Sequence, residues 1–499
     1  MVTGNIALAR SAVLLLACLV AACADTPPEP AAPAPDVTPT RQKSVSSLRL
    51  TNAEIRPVYR QVLAIDLESV ARVAGLNNID IQEARQRVEA SQGQLESAGA
   101  AALPAVGPGI ALNHLQGVDI NNLGVLQAAH FSTVNPALLV HWAINPGQIF
   151  FDIIAAKKRL LASEQQDLAV VIQTTSSAAQ QYYDLVLAQA RVAVAREALN
   201  EAQEFLRLAT QRYNAQTGLF VDVTRAQALL ASRQQDLALA LNGFFQASVT
   251  LGTTLYLDPT VTLVPKSREL VTHNLVRDNL GIDQLLSMAV SWRPDLQGVY
   301  ALVAAADADT KAVIWGAGTP NLQANYQFGG FSSRTQAQAF GLKNQQLSTV
   351  TAGWVFNPVV FGEVKTSDAV AKISVLEASR LLESVKAQVV VAAQDSATNA
   401  RLIPVARQQV QAAEESLKIT QTNFETGTGL FLDILQAQDA VNQARLNHAS
   451  AITNYNKSQI SLLTALGLID QMQMTGSLKT TSLKPDRQRR KPGKTPDSK

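Results

Sequence analysis

Five histidines, His114, His130, His141, His273 and His448, are the side chains best suited to metal ligation or proton transfer near neutral pH. They are scattered, with no ligand spacing among them and no cysteine or carboxylate partner at a metal-site interval. No Gly-rich phosphate loop and no nucleophile elbow occurs. The chain is therefore expected to be no enzyme and to carry no metal and no cofactor. His448 falls on an apolar register between Ala444 and Ala451, which predicts a polar packing or lumen residue. Two acids stand out by position: Asp222 and Asp433 each lie where a turn meets the start of a helix. A carboxylate there caps free N–H groups and complements the helix dipole, an effect of about 1 kcal/mol.

The elements that hold these residues are built from an unusual vocabulary. Aromatic residues make up 5% and charged residues 16%, with abundant Ala and Gln, a composition suited to long helices packed through small side chains. A net charge of +2 excludes a phosphate-binding face, so no nucleic-acid partner is expected. Lys and Arg cluster only from Lys484 to Lys499, within a segment (469–499) that reads as a solvated, disordered tail.

Cys18 and Cys23 are the only cysteines, so the body of the chain has no internal disulfide. Arg10 followed by the apolar run Ser11 to Ala22 has the grammar of a secretory signal and is too short for a retained membrane helix. Val20-Ala21-Ala22-Cys23 resembles the bacterial lipobox, with Cys18 as a competing match. The resemblance implies a signal over residues 1–22, acylation of Cys23, and sorting to the outer membrane, since Ala24 rather than Asp follows. The Pro- and Ala-rich stretch after it suits a tether over residues 23–60.

The rest is written twice. Gly218-Leu219-Phe220-Val221-Asp222-Val223 returns as Gly429-Leu430-Phe431-Leu432-Asp433-Ile434, an offset of 433 − 222 = 211. Trp142-Ala143-Ile144-Asn145-Pro146 returns as Trp354-Val355-Phe356-Asn357-Pro358, and Asp80-Ile81-Gln82 as Asp295-Leu296-Gln297. The repeats occupy residues 61–280 and 281–468. Each holds a helix, two strands, a long helix, a tip turn and a return helix.

Hydrophobic period assigns those elements. Leu322, Ala324, Tyr326 and Phe328 alternate with Gln323, Asn325 and Gln327, and Val350, Ala352, Trp354 and Phe356 follow the same rule. In the first repeat Leu138, Val140, Trp142 and Ile144 make a good strand, while Val106, Ile110 and Leu112 make a weaker one broken by Pro108. One apolar and one polar face over about ten residues fits the wall of a membrane barrel. Phe328 to Asn344 and Gln116 to Asn135 read as loops. Beyond the strands, Leu185, Ala188, Val192, Ala195, Leu199, Ala202, Leu206 and Ala209 step by three and four, repeated as Ile403, Ala406, Val410, Ala413 and Leu417. The helix from about 148 to 213 would be about 100 Å long, with a return helix after the Gly-Leu-Phe turn.

Four strands cannot close a barrel, and open edges are costly in lipid, so assembly is required. Two chains would give eight strands and three would give twelve; the polar interior face favours the wider ring. The order of lipobox, duplication, strand pair, long helix and turn, with Arg212-Tyr213-Asn214 before Asp222-Val223 and Phe424 through Gly427 before Asp433-Ile434-Leu435, resembles the TolC-like outer-membrane efflux protein family. Asn77-Asn78-Ile79-Asp80-Ile81 and Arg293-Pro294-Asp295-Leu296 resemble its repeat-opening signature.

That resemblance implies a mixed membrane α/β fold: a homotrimer with a 12-stranded transmembrane β-barrel, four strands per chain, above a long α-helical periplasmic barrel. It implies an outer-membrane channel that passively conducts substrates for a tripartite efflux or secretion system, docked to a periplasmic adaptor and an inner-membrane pump. It places a periplasmic gate at Asp433, with Asp222 and Gln436 beside it, where three acids on one axis would attract cations. Adaptor docking would use Gly218, Leu219, Phe220, Gly427, Gly429, Leu430 and Phe431; the glycines could instead supply positive φ for tight turns. Gln436 stands where a relative can carry a second acid, Gln216 where the family places a turn glycine, and Pro404 inside the second long helix, where a kink is expected. The rival reading is a periplasmic coiled-coil envelope protein without a pore.

Overall fold

The computed structural model describes residues 61–468 except 121–123, 268, 277–279, 336–340 and 356. The signal segment, Cys18, Cys23, the tether, the basic tail and Phe356 lie outside the described residues.

The first repeat runs β1 (Val62–Ile65), α1 (Leu67–Asn77), α2 (Ile79–Ala100), β2 (Ala105–Ile120), β3 (Leu126–Ile144), α3 (Pro146–Asn214) and α4 (Phe220–Thr254). Then come β4 (Thr262–Pro265), α5 (Ile282–Trp292), α6 (Pro294–Gly318), β5 (Asn321–Thr335), β6 (Lys343–Gly353), α7 (Val359–Thr426) and α8 (Phe431–Leu466). The long helices α3 and α7 have 69 and 68 residues. At 1.5 Å per residue each is about 100 Å long. The short helices share that length: α3 packs against α2, α6, α4 and α8, and α7 against α6 and α8. None of the described helices is long and apolar enough to cross a membrane.

β2, β3, β5 and β6 form one antiparallel sheet in that order. The registers Leu138↔Phe328, Val140↔Tyr326 and Ile144↔Leu322 line apolar residues along one face. The alternate face places Ala143 opposite Gln323 and His141 opposite Asn325, joined by a hydrogen bond of 2.6 Å between Nδ1 and Oδ1. Pro108 does not break β2; it sits on an edge strand opposite Leu138, where a missing N–H is tolerated. The stretches expected to be loops are mostly strand: β2 runs on to Ile120, β3 starts at Leu126, β5 reaches Thr335 and β6 starts at Lys343. Backbone pairing continues there without an apolar face, because a ladder needs only N–H and C=O groups. Conversely, β6 ends at Gly353, so Trp354 stands just beyond it.

Four short elements escaped the periodicity. β1 and β4 pair in parallel, tying the start of one repeat to the end of its return helix, and α1 and α5 precede α2 and α6. Asp66 caps α1 through Ser69, and Lys266 lies 2.9 Å from its carboxylate. The Ser69 hydroxyl, with Lys266, lowers the Asp66 pKa to about 2. Most buried apolar residues gather at this level, among them Tyr183, Leu185, Phe244, Leu251, Leu285, Val385 and Leu463. A separate core of Phe205, Val223, Ala226, Phe424, Phe431, Ile434 and Val441 packs α3, α4, α7 and α8 together near the tip turns. The helix α7 continues through Pro404, whose ring is exposed.

Candidate functional site

The two tip turns are built alike from different residues. After α3, Gln216 takes φ 60°; after α7, Gly427 takes φ 83°. Both positions are left-handed, which glycine adopts freely and glutamine does at a cost of about 1–2 kcal/mol. Leu219 and Leu430 then enter the return helices with φ −92° each and ψ 143° and 145°. Of the tip glycines, only Gly427 has positive φ. Gly218 and Gly429 are required by close approach instead: a Cβ on Gly218 would lie 2.9 Å from Arg212 Cβ, and one on Gly429 3.0 Å from Asn423 Cβ and Phe424 N.

The acids differ between copies. Leu430 N–H donates to Asp433 Oδ2 at 3.3 Å, a capping bond, and the carboxylate is otherwise exposed to solvent. Asp222 is half-buried and lies 3.6 Å from Arg225 Nη1. The counterpart of Arg225 at the offset of 211 is Gln436, which is exposed and uncharged (225 + 211 = 436). The first-repeat acid is thus compensated by a cation one turn on, and the second-repeat acid is not.

The exposed apolar surface of the tips also departs from expectation. Leu219, Phe220 and Leu430 are 67%, 60% and 68% exposed, with Leu432 beside them. Phe431 is buried, its ring edge-on to Phe424 at 5.6 Å, so it belongs to the core. Its counterpart Phe220 packs on Tyr213 at the surface.

Two basic residues that sequence reasoning did not assign bind the repeats to each other. The Arg212 guanidinium donates to the Phe424 carbonyl and, at 3.2 Å, to Thr217 O, and lies 4.5 Å above the Phe424 ring. It joins the first tip to the second. Higher up, the largely buried Arg445 of α8 meets Glu201 at 3.2 Å and Glu197 at 3.3 Å on α3, and Glu414 at 3.0 Å on α7. Burial pushes the Glu197 carboxyl up, with Glu201 and Glu414 adding to the rise against Arg445. His448, one turn further, is buried, and burial together with Arg407 lowers its pKa. A charged residue on the register Val441, Arg445, His448, Ile452 was the available signal for this network.

A sheet with two unpaired edges thus joins paired helices about 100 Å long. The family model for outer membrane efflux proteins matches residues 70–255 and 285–468, one match in each repeat. The chain belongs to the outer membrane efflux protein family. Among its relatives, the pyoverdine export outer membrane protein OpmQ of Pseudomonas putida is 25% identical over 293 residues, 57% of this chain; the chain spans 60% of that relative's length. Among solved structures, the outer-membrane channel OprN superposes with a TM-score of 0.70 at 18% identity, covering 87% of this chain and 99% of OprN. VceC of Vibrio cholerae gives 0.68 at 18% identity, covering 80% and 96%. The efflux-protein fold is therefore shared across nearly all the described residues.

Proposed function

We propose that the chain is one protomer of a homotrimeric outer-membrane channel, passing substrates outward for an inner-membrane pump through a periplasmic adaptor. The observation that carries this reading is the sheet: one apolar face, one amide-rich face, and two edges, β2 and β6, whose backbone groups need partners in lipid. Three chains supply twelve strands, enough for a water-filled interior, and the helices below line its continuation. Cys23 carries the lipid anchor. The exposed Leu219, Phe220 and Leu430 form the adaptor-docking tips. Asp433, uncompensated, is the gate acid, and Asp222 is held by Arg225. The protein's role is conduction, with no chemical step. The pyoverdine-export relative makes pyoverdine the first cargo to test.

Planar-bilayer recording of the purified protein tests the reading. Cation-selective single-channel steps are expected, with Asp433→Asn lowering the cation preference and Asp222→Asn leaving it unchanged. A protein that never conducts, even as Asp433→Ala, would instead support the coiled-coil envelope reading.

A further inference from the structure

The duplication specifies how neighbouring chains pair. The indole N–H of Trp142 donates to Ala102 O at 2.8 Å, and that of Trp354 donates to Gly318 O at 3.3 Å. These equivalent bonds set the correspondence between repeats: the second strand maps by 354 − 142 = 212, and the first strand by 318 − 102 = 216. The mapping holds inside the chain. Ala105 pairs with His141, and adding 216 and 212 gives Asn321 and Gly353, which do pair. The two hairpins therefore share one register. The remaining observed interface, β3 against β5, joins the second strand of one repeat to the first strand of the other, and its counterpart can only lie between β6 of one chain and β2 of the next.

We propose that β6 pairs antiparallel with β2 of a second copy in the register that sets Ala352 opposite Ile110 of the partner subunit. This is the image of Val140↔Tyr326, since 140 + 212 = 352 and 326 − 216 = 110. The same register sets Val350 opposite Leu112 of the partner subunit and Thr349 opposite Asn113 of the partner subunit. Side-chain chemistry agrees independently. Within the chain, Ile110 and Leu112 share the apolar face through Pro136 and Val134, while Val350 and Ala352 share it through Ala324 and Leu322. A slip of one residue would turn apolar residues of β6 toward the polar face of β2.

The strand bases give a matching contact. Asn145 Nδ2 donates to Gly316 O at 2.7 Å, across the repeat boundary. Its counterpart Asn357 (145 + 212) accepts from Val359 N at 3.1 Å, while its amide has no partner within the chain among the described residues. The mapping carries that amide to the segment between α2 and β2 of the partner subunit, as Asn145 meets the end of α6 just before β5.

The proposal rests on the ring assembly proposed above, and disulfide trapping separates the two. Facing residues in an antiparallel pair have Cα atoms about 4.5–5.5 Å apart, within disulfide range. The chain's own cysteines, Cys18 and Cys23, are confined to the leading segment, so the unsubstituted protein is the background. In full-length protein in outer membranes, the paired variants I110C/A352C and A111C/T351C should give disulfide-linked dimers and trimers on non-reducing gels. The pair displaced by two, L112C/A352C, should not. Preferential linking of the displaced pair, or no linking in a protein whose detergent-solubilised mass is that of a trimer, overturns the register. A monomeric or dimeric mass for the unsubstituted protein overturns the ring as well.

Discussion

Gln216 and Gly427 hold the same left-handed station at the two tips, one with a side chain and one without. Replacing Gln216 by glycine removes a local cost and should stabilise the first tip by roughly 0.5–1 kcal/mol, after the larger unfolded-state entropy of glycine is counted. Hydrogen exchange of the amides from Tyr213 to Asp222 is expected to slow; faster exchange in that window would show that glutamine is not strained there. The left-handed position was legible as a departure from a family pattern, and its strain was not. Arg212 was visible as a cation before the turn, yet its bond to Phe424 joins residues on different repeats, and no local spacing encodes that meeting. Arg445 was hidden differently: a cation on a buried register reads as an exception until three carboxylates are found around it.

At the level of elements, period alone located the four strands and both long helices, because burial on one face imposes its repeat on the sequence. It failed where that constraint is absent. The outer halves of β2, β3, β5 and β6 have no continuous apolar face, so their sequence resembles loops although their backbones are paired. β1 and β4 have four residues each, too few to display a period. The two faces make a direct prediction. Val350 is 79% exposed in the single chain and lies on the apolar face, whereas Thr351 lies on the other. An arginine facing lipid near mid-membrane costs about 2–4 kcal/mol per chain. Val350→Arg is therefore expected to deplete the assembled species on semi-native gels, while Thr351→Arg leaves it intact. Equal depletion by both would contradict the facing.

For the whole molecule, the decisive feature is what one chain leaves unfinished. Its helices close two cores within a single protomer, one near the short β1 and β4 strands and one at the tips, yet α7 leaves Ile373, Leu376, Val391 and Val405 exposed. Its sheet ends on two open edges that differ from each other, β2 on one side and β6 on the other. A head-to-tail ring must use both edges of every member. This has a genetic consequence. A subunit damaged in β6 alone still offers a sound β2 edge, so it joins growing rings and leaves each with a seam that cannot seal. Co-expressed in equal amount with the wild type, such a variant should leave only roughly one ring in eight entirely sound. The allele would then be dominant: export should fall well below the half expected from loss of one gene copy, and a level near one half would show that damaged chains are excluded before closure.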